Sequence, residues 1–412
     1  MGGGEGTAVA EAPRLAASHE HPGAMKAAWN VLLVAVGAQI GMSLLDQGIP
    51  TLTGFIKADL GVSAAVAGLA VSSFAFGRIA GSYWAGIAAD RLGERRVLLA
   101  GALTTGVVIA CAVLTPGPEV FGLLALAGLT SAASTPAGGR LVLHAFPRRR
   151  RGLALSIRQC GIPLGGMCAA VLLPRIAHVS SWRWSLAVSA AVMVVMALPL
   201  LSTSDSSEPL TRIRSRVSIR DRDIVLLTAW GCLVVTGQNA LIAFLALDLH
   251  TSEGLSLASA ALFVAFADGF GIAGRVFWGA LSDRLLVRGR KPLLLTLTAA
   301  CLISALVLFA VPRSSPTAVM LAVAGLAGFA LIGFQGLWMT MLAEAAGPAR
   351  VGAVSGFAIS FATLSVCVAA PLYGLSADLT GTYRAIWAVL ACVMAVALVP
   401  ALLVREATTE NG

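Results

Sequence analysis

Gly86-Ile87-Ala88-Ala89-Asp90-Arg91-Leu92-Gly93-Glu94-Arg95-Arg96 lies between two apolar runs, and Gly279-Ala280-Leu281-Ser282-Asp283-Arg284 lies at the matching place in the second half of the chain. Gly86 and Gly279, Asp90 and Asp283, and Arg91 and Arg284 keep one register, so the chain reads as two copies of one unit. Gly86 allows close helix approach, Gly93 permits a tight turn, and Asp90 can accept hydrogen bonds from a neighbouring helix N-terminus while its field holds the arginines.

Outward from these loops the chain is apolar. Of 412 residues 58% are hydrophobic and 12% charged, and the mean hydropathy is +0.86, which excludes an ordinary water-soluble fold. Aromatics make up only 6% against 44 glycines, and the runs are continuous rather than alternating, so membrane helices are expected and outer-membrane strands are not. Twelve runs are long enough to cross the hydrocarbon: 29–52, 63–88, 97–115, 120–143, 153–176, 184–202, 224–247, 257–281, 292–311, 317–341, 352–376 and 384–404. The expected organisation is a disordered tail (1–26), a six-helix bundle (27–202), a polar linker (203–223), a second six-helix bundle (224–404) and a short tail (405–412).

The net charge of +9 is a topology signal and not a nucleic-acid surface, because the basic residues sit in short loops between apolar runs. One set of loops plus both tails holds 20 of the 29 Lys and Arg, including Arg91, Arg95, Arg96, Arg148 to Arg151, Arg284, Arg288, Arg290 and Lys291. The opposite loops hold Lys57, Arg175, Arg183, Arg313 and Arg384. The positive-inside rule then places both termini in the cytoplasm.

These features carry a family resemblance. From Trp29 to Val404 the chain resembles the major facilitator superfamily of secondary transporters, and its first loop matches the signature G-x-x-x-D-[RK]-x-G-x-[RK]-[RK] at every specified position. The second copy departs, with three extra residues before Gly289-Arg290-Lys291. The resemblance implies twelve helices in two pseudo-symmetric bundles, with Asp90, Arg91, Arg95 and Arg96 latching the cytoplasmic side. It implies a less secure gating role for Gly279, Asp283 and Arg284.

Ionisable and amide residues inside the runs gather in spans one, two, four, five, seven, eight and ten, while spans three, six, nine and twelve carry none. Desolvating an ion at mid-bilayer is costly, so the first set should face a wet interior and the second lipid. Asp46, Arg78, Arg140, Arg158, Asp268 and Arg275 are the embedded ions. Arg140, near a span end, is expected to snorkel. Arg78 can pair with Asp46, and Arg158-Gln159 can partner Asp268. Such pairs serve either as fixed clamps or as exchange sites, in which an Arg holds solute while Asp268, or next Asp46, trades a proton with solvent. The run Gly274-Arg275-Val276-Phe277-Trp278-Gly279 is similar to span eight of the oxalate/formate and monocarboxylate branches, a likeness that implies an Arg275 contact to a substrate carboxylate. Gln238, Asn239, Gln335 and Trp338 are expected either to contact solute or to glue helices together.

Gly269-Phe270-Gly271-Ile272-Ala273-Gly274 satisfies a dinucleotide fingerprint but lies inside an apolar run, where packing explains it. His19-Glu20-His21 is incidental, no phosphate-loop motif exists, and the seven cysteines form no CxxC pair. No cofactor or metal is expected, nor an enzyme, since no nucleophile and base converge at one depth. The expected function is a monomeric, multi-pass, proton-coupled secondary transporter of the cytoplasmic membrane, moving an anionic or zwitterionic organic solute by alternating access. The alternatives are drug efflux on the same fold and an integral-membrane enzyme or sensor.

Overall fold

The computed structural model describes residues 22–202, 221–285, 289–312, 315–347 and 349–405. The expected tail 1–26 and linker 203–223 lie mostly outside the described residues. Where they meet them, helix begins at Pro22 and again at Arg222. Pro22 suits a first helical position, and Ala27, Ala28 and their neighbours continue the helix, so the first span starts earlier than its apolar content indicates.

The spans are Pro22–Leu60, Ala64–Leu92, Glu94–Leu114, Val120–Ala145, Arg148–Val179 and Trp182–Ser202 in the first half. In the second they are Arg222–Glu253, Leu257–Arg284, Lys291–Ala310, Thr317–Ala346, Val351–Thr380 and Arg384–Leu403. Eleven helical stretches are long and apolar enough to cross a membrane by composition. Span two, Ala64–Leu92, is the twelfth and is 29 residues long. Leu33, Phe76, Val107, Leu262, Val368 and Leu402 are exposed on the outside, the surface a bilayer covers.

The duplication is visible in local chemistry as well as in topology. At the end away from the basic loops, called here the far end, Arg183 heads span six and donates to the carbonyls of Thr115 (3.3 Å) and Pro116 (3.1 Å) at the end of span three. Arg384 heads span twelve and donates to Phe309 (2.5 Å) and Val311 (3.2 Å) at the end of span nine. Each half adds a tryptophan on an aspartate: Trp182 to Asp59 (3.0 Å) and Trp387 to Asp248 (2.7 Å). These guanidinium groups occupy the carbonyls that a helix end leaves without partners.

Three spans are broken. Span four is Val120–Ser131 plus Ser134–Ala145, span ten is Thr317–Leu331 plus Gln335–Ala346, and span five breaks at Cys160. The breaks in spans four and ten occupy matching positions of the two halves, and all three free backbone groups at mid-membrane depth, which then need internal partners. Gly271 and Gly274 of the dinucleotide look-alike pack on span ten, where a Cβ would meet Ile332 and the Phe329 backbone.

Candidate functional site

A hollow of about 1050 Å3 lies between the halves. Span one supplies Gln39, Ser43, Asp46 and Gln47, and span two supplies Arg78 and Ser82. The break in span four supplies Ser131, Ser134 and Thr135, and span five supplies Gln159. Facing them are Gln238 and Asn239 of span seven, Gln335 and Trp338 of span ten, and Ile359 and Thr363 of span eleven. No lining residue comes from spans three, six, nine or twelve. Span eleven replaces span eight in the wall. It escaped the reading of charges and amides because it offers only a threonine and apolar groups.

Asp46 and Arg78 form a salt bridge inside this hollow, each partly exposed to it. They are the charged pair that lines it. Gln335 Nε2 donates to Gln238 Oε1 at 3.3 Å, and Gln335 Oε1 is buried without a partner. Asn239 Nδ2 is committed to Val235 O (2.9 Å). Trp338 is a wall and not an exposed stacking face, since its ring is buried and its indole N–H goes to Leu227 O at 2.8 Å.

The other two deep arginines are withdrawn from the hollow. Arg158 is buried and donates through Nη2 to Gln39 Oε1 (2.6 Å) and Ser134 O (2.7 Å), the carbonyl at the span-four break. It does not reach Asp268. Successive helical residues are turned by about 100°, so with Gln159 and Cys160 towards span eight, Arg158 points back into its own half. The Asp268 carboxylate is half-buried and has no hydrogen bond or ion pair among the described residues.

Arg275, expected to hold substrate, is fully buried and donates to Gln159 O of span five and to Ile332 O (3.1 Å) at the span-ten break. It is a clamp between halves, filling two carbonyls that the breaks expose.

At the basic end the halves are shut by two equivalent contacts. Asp90 accepts from Gly352 N (2.9 Å) and Ala353 N (2.8 Å) in the first turn of span eleven. Asp283 accepts from Gly152 N and Leu153 N, both 2.8 Å, in the first turn of span five. Carboxylates at helix N-termini meet orphan N–H donors and the positive end of the dipole. A Cβ at Gly86 would collide with the Gly352 backbone, so the contact requires glycine. Gly93 and Gly289 turn the two loops at φ 90° and 80°, a region that glycine enters freely. The second latch is therefore as well formed as the first. The three-residue insertion (286–288) lies outside the described residues and leaves the turn glycine in place.

The motif arginines do not make these contacts. Arg91 and Arg284 are exposed, and Arg95 ties its loop to Leu201 O (2.7 Å) within its own half. Asp90 is instead held by Arg140 Nη1 at 2.7 Å. Arg140 does not snorkel: it is 1% exposed, with Glu94 3.4 Å away and His144 on that same Glu94 at 3.2 Å. In the second half Arg290 takes the place of Glu94 and pairs with Glu344 (3.0 Å), so the ion pair recurs with its polarity reversed. Reading spans one at a time missed Arg140, Glu94 and Glu344. Gln39, Ser43 and Gln47 were missed as well, although their helical spacing around Asp46 is the signal that would have marked the wall of the hollow.

Inter-half bonds run from the two latches through Arg275–Gln159 to Ser360 Oγ on Ile79 O (2.9 Å). The far piece of span five packs on spans one and six of its own half. The hollow is therefore sealed towards the basic end.

Two six-helix halves enclosing a polar hollow define a membrane carrier of small solutes. A family model for the Major Facilitator Superfamily matches residues 31–370 and 224–412, and the chain belongs to that family. It is 28% identical over 393 residues to an uncharacterized MFS-type transporter of Mycobacterium tuberculosis, covering 93% of this chain and 86% of the relative. It is 23% identical over 358 residues to the hexuronate transporter of Bacillus subtilis (80% of this chain, 83% of the relative). Over 168 residues it is 27% identical to the 4-hydroxybenzoate transporter of Pseudomonas aeruginosa (40% and 38%). Its fold matches FucP in the outward conformation with a TM-score of 0.71 at 16% identity, covering 92% of this chain and 98% of that one. These proteins are transporters and not enzymes; this chain is a multi-pass membrane transporter of small solutes.

Proposed function

We propose that the chain moves a small carboxylate-bearing solute, anionic or zwitterionic, across the cytoplasmic membrane by alternating access coupled to protons. The basic end faces the cytoplasm, as the positive-inside rule requires, so the hollow described above is the outward-facing one. The salt bridge of Asp46 and Arg78 in the wall of the hollow carries this reading. A solute carboxylate displaces Asp46 from Arg78, and the freed carboxylate, its counter-charge gone, takes a proton from the outer solution. The solute's remaining polar groups meet the amides of Gln238 and Asn239 in the wall of the hollow. Relatives whose names specify hexuronate and 4-hydroxybenzoate support a carboxylate-bearing solute. With Trp338 as the single aromatic side chain among the lining residues, the hollow is poorly suited to a hydrophobic drug.

Asp46 thus takes precedence over Asp268 as the coupling group, because Asp268 does not line the hollow. The test is uptake into proteoliposomes of a labelled panel of small carboxylates, hexuronates and hydroxybenzoates included, under an inward proton gradient. A panel member should accumulate with the wild-type chain. Asp46→Asn should lose uphill accumulation while keeping exchange at equal pH, and Asp268→Asn should keep both. Uphill uptake retained by Asp46→Asn refutes the coupling, and a panel with no substrate refutes the solute class.

A further inference from the structure

A second hollow, of about 540 Å3, opens at the basic end beside the Asp283 latch. The first half contributes Trp29, Phe146, Leu153, Arg149 and Arg150; the second contributes Ala280, Asp283 and Arg284. Trp29 and Phe146 meet edge to face with centroids 5.5 Å apart, and they make an apolar floor with Leu153 and Ala280. Arg149, Arg150 and Arg284 stand exposed around it, and none forms an ion pair among the described residues. The Asp283 carboxylate is already occupied by the Gly152 and Leu153 amides.

We propose that this cleft binds the headgroup and glycerol of an anionic phospholipid from the leaflet at the basic end. Three guanidinium groups without a carboxylate partner, Arg150 touching only the Met25 sulfur at 3.5 Å, call for a phosphate. The apolar floor calls for an amphiphile, because an inorganic anion would leave the partly exposed Trp29 and Leu153 uncovered above the buried Phe146. A tryptophan among basic residues at the ends of spanning helices is the chemistry of the headgroup level. The walls come from both halves, so the site is complete only while the basic end is shut, and a bound lipid holds it shut. The proposal does not depend on which solute the central hollow carries.

The test is thermal unfolding of the purified full chain in a neutral detergent, titrated with phosphatidylglycerol, phosphatidylcholine or inorganic phosphate. Phosphatidylglycerol should raise Tm in a saturable manner, as a ligand specific to the folded state does, and the other two should not. The triple variant R149Q/R150Q/R284Q should lose the shift. Ala280→Trp, which fills the floor and keeps every arginine, should lose it too and gives the reading on its own if the triple variant does not fold. A shift by phosphatidylglycerol that survives either variant in folded form overturns the proposal. So does no shift in the wild-type chain, an equal shift by phosphatidylcholine, or a shift reproduced by inorganic phosphate, which would make this a free-anion site.

Discussion

Asp283→Asn should open the basic end as much as Asp90→Asn does, although the loop of Asp283 is the degenerate copy. Each carboxylate accepts two backbone N–H groups at 2.8 to 2.9 Å in the first turn of a helix from the other half. An asparagine keeps one acceptor oxygen and loses the charge. One charge-assisted bond contributes about 1.5–3 kcal/mol, and the attraction to a helix N-terminus adds about 0.3–1 kcal/mol. A loss of about 2 kcal/mol lowers the closure constant about 30-fold, since 1.4 kcal/mol corresponds to roughly a factor of ten. If closed and open forms stand near 100:1, each variant brings them to roughly 3:1, enough to see directly. The remaining salt bridges limit the damage: Arg140 keeps Glu94, and Arg290 keeps Glu344. Spin labels on cysteines replacing the exposed Arg91 and Arg284, one in each half, report the separation by pulsed dipolar spectroscopy. Both variants should add a longer distance of comparable weight. The latches share no side chain, so the double variant should show the sum of the two free energies. An unchanged distribution for Asp283→Asn beside an open one for Asp90→Asn would refute the equivalence.

Arg78→Ala should abolish solute binding, whereas Arg275→Ala should leave solute affinity within about threefold and shift the spin-label distances towards opening, because its guanidinium bridges backbone carbonyls of the two halves; a greater loss of affinity for Arg275→Ala would return it to the solute site. Arg140→Leu leaves Asp90 and Glu94 buried without their shared cation, at a cost of about 3–5 kcal/mol, which should appear as a large fall in Tm or in folded yield, while Arg91→Leu on the exposed motif arginine should leave Tm nearly unchanged. Gly93→Ala places a Cβ at φ 90° and should destabilise by roughly 1–2 kcal/mol. Gly122→Ala, in a helix with nothing near the added Cβ, should be neutral or stabilising; equal Tm values for the two would mean the turn relaxes.

Sequence and structure agree where a single helix settles the matter. Twelve spans follow from apolar run length, the duplication from the register of Gly86 and Gly279, and the wet faces of spans one, two, four, five, seven and ten from the cost of burying ions. The pairing of Asp46 with Arg78 was also within reach, since both lie on neighbouring spans and each needs a counter-charge. Arg158, Arg275 and Arg140 were misplaced because their partners lie on other helices or on the backbone. Arg275 donates to the carbonyls of Gln159 and Ile332, Arg158 to Gln39 Oε1 and Ser134 O, and Arg140 to Asp90 and Ala89 O. Every residue carries a carbonyl, and what marks an open one is a proline four residues on, which has no N–H to give. Pro163 thus frees Gln159 O and Pro136 frees Ala132 O at the span-four break, whereas span ten breaks without a proline. Span eleven went unnoticed as a wall because Thr363 and Ile359 bring neither charge nor amide.

Under the proposed alternating access, backbone partners would let the two halves both hold and release. A latch made of a carboxylate and two amide hydrogens forms only when a helix start returns to within hydrogen-bond distance, so closure is all-or-none at that contact and not graded. On opening, the N–H groups of Gly152, Leu153, Gly352 and Ala353 sit at helix starts where water can replace the carboxylate. The net contribution of each latch is then a few kcal/mol rather than the gross strength of its bonds. Solutes bound with millimolar to micromolar affinity supply about 4–8 kcal/mol, of the same order as two such latches. Only the part of that energy that differs between the two forms acts on the balance, so a solute held a few kcal/mol more tightly with the basic end open offsets the latches. A buried side-chain ion pair between the halves would be less suitable, because parting it leaves two charges to be rehydrated inside the membrane. The ion pairs Arg140–Asp90, Arg140–Glu94 and Arg290–Glu344 each join groups of the same half and stay intact when the halves separate. What breaks is carboxylate to amide at the two latches, guanidinium to carbonyl at Arg275, the Ser360 bond to Ile79 O, and the Arg148–Glu344 ion pair (3.8 Å), whose arginine is exposed at the basic end.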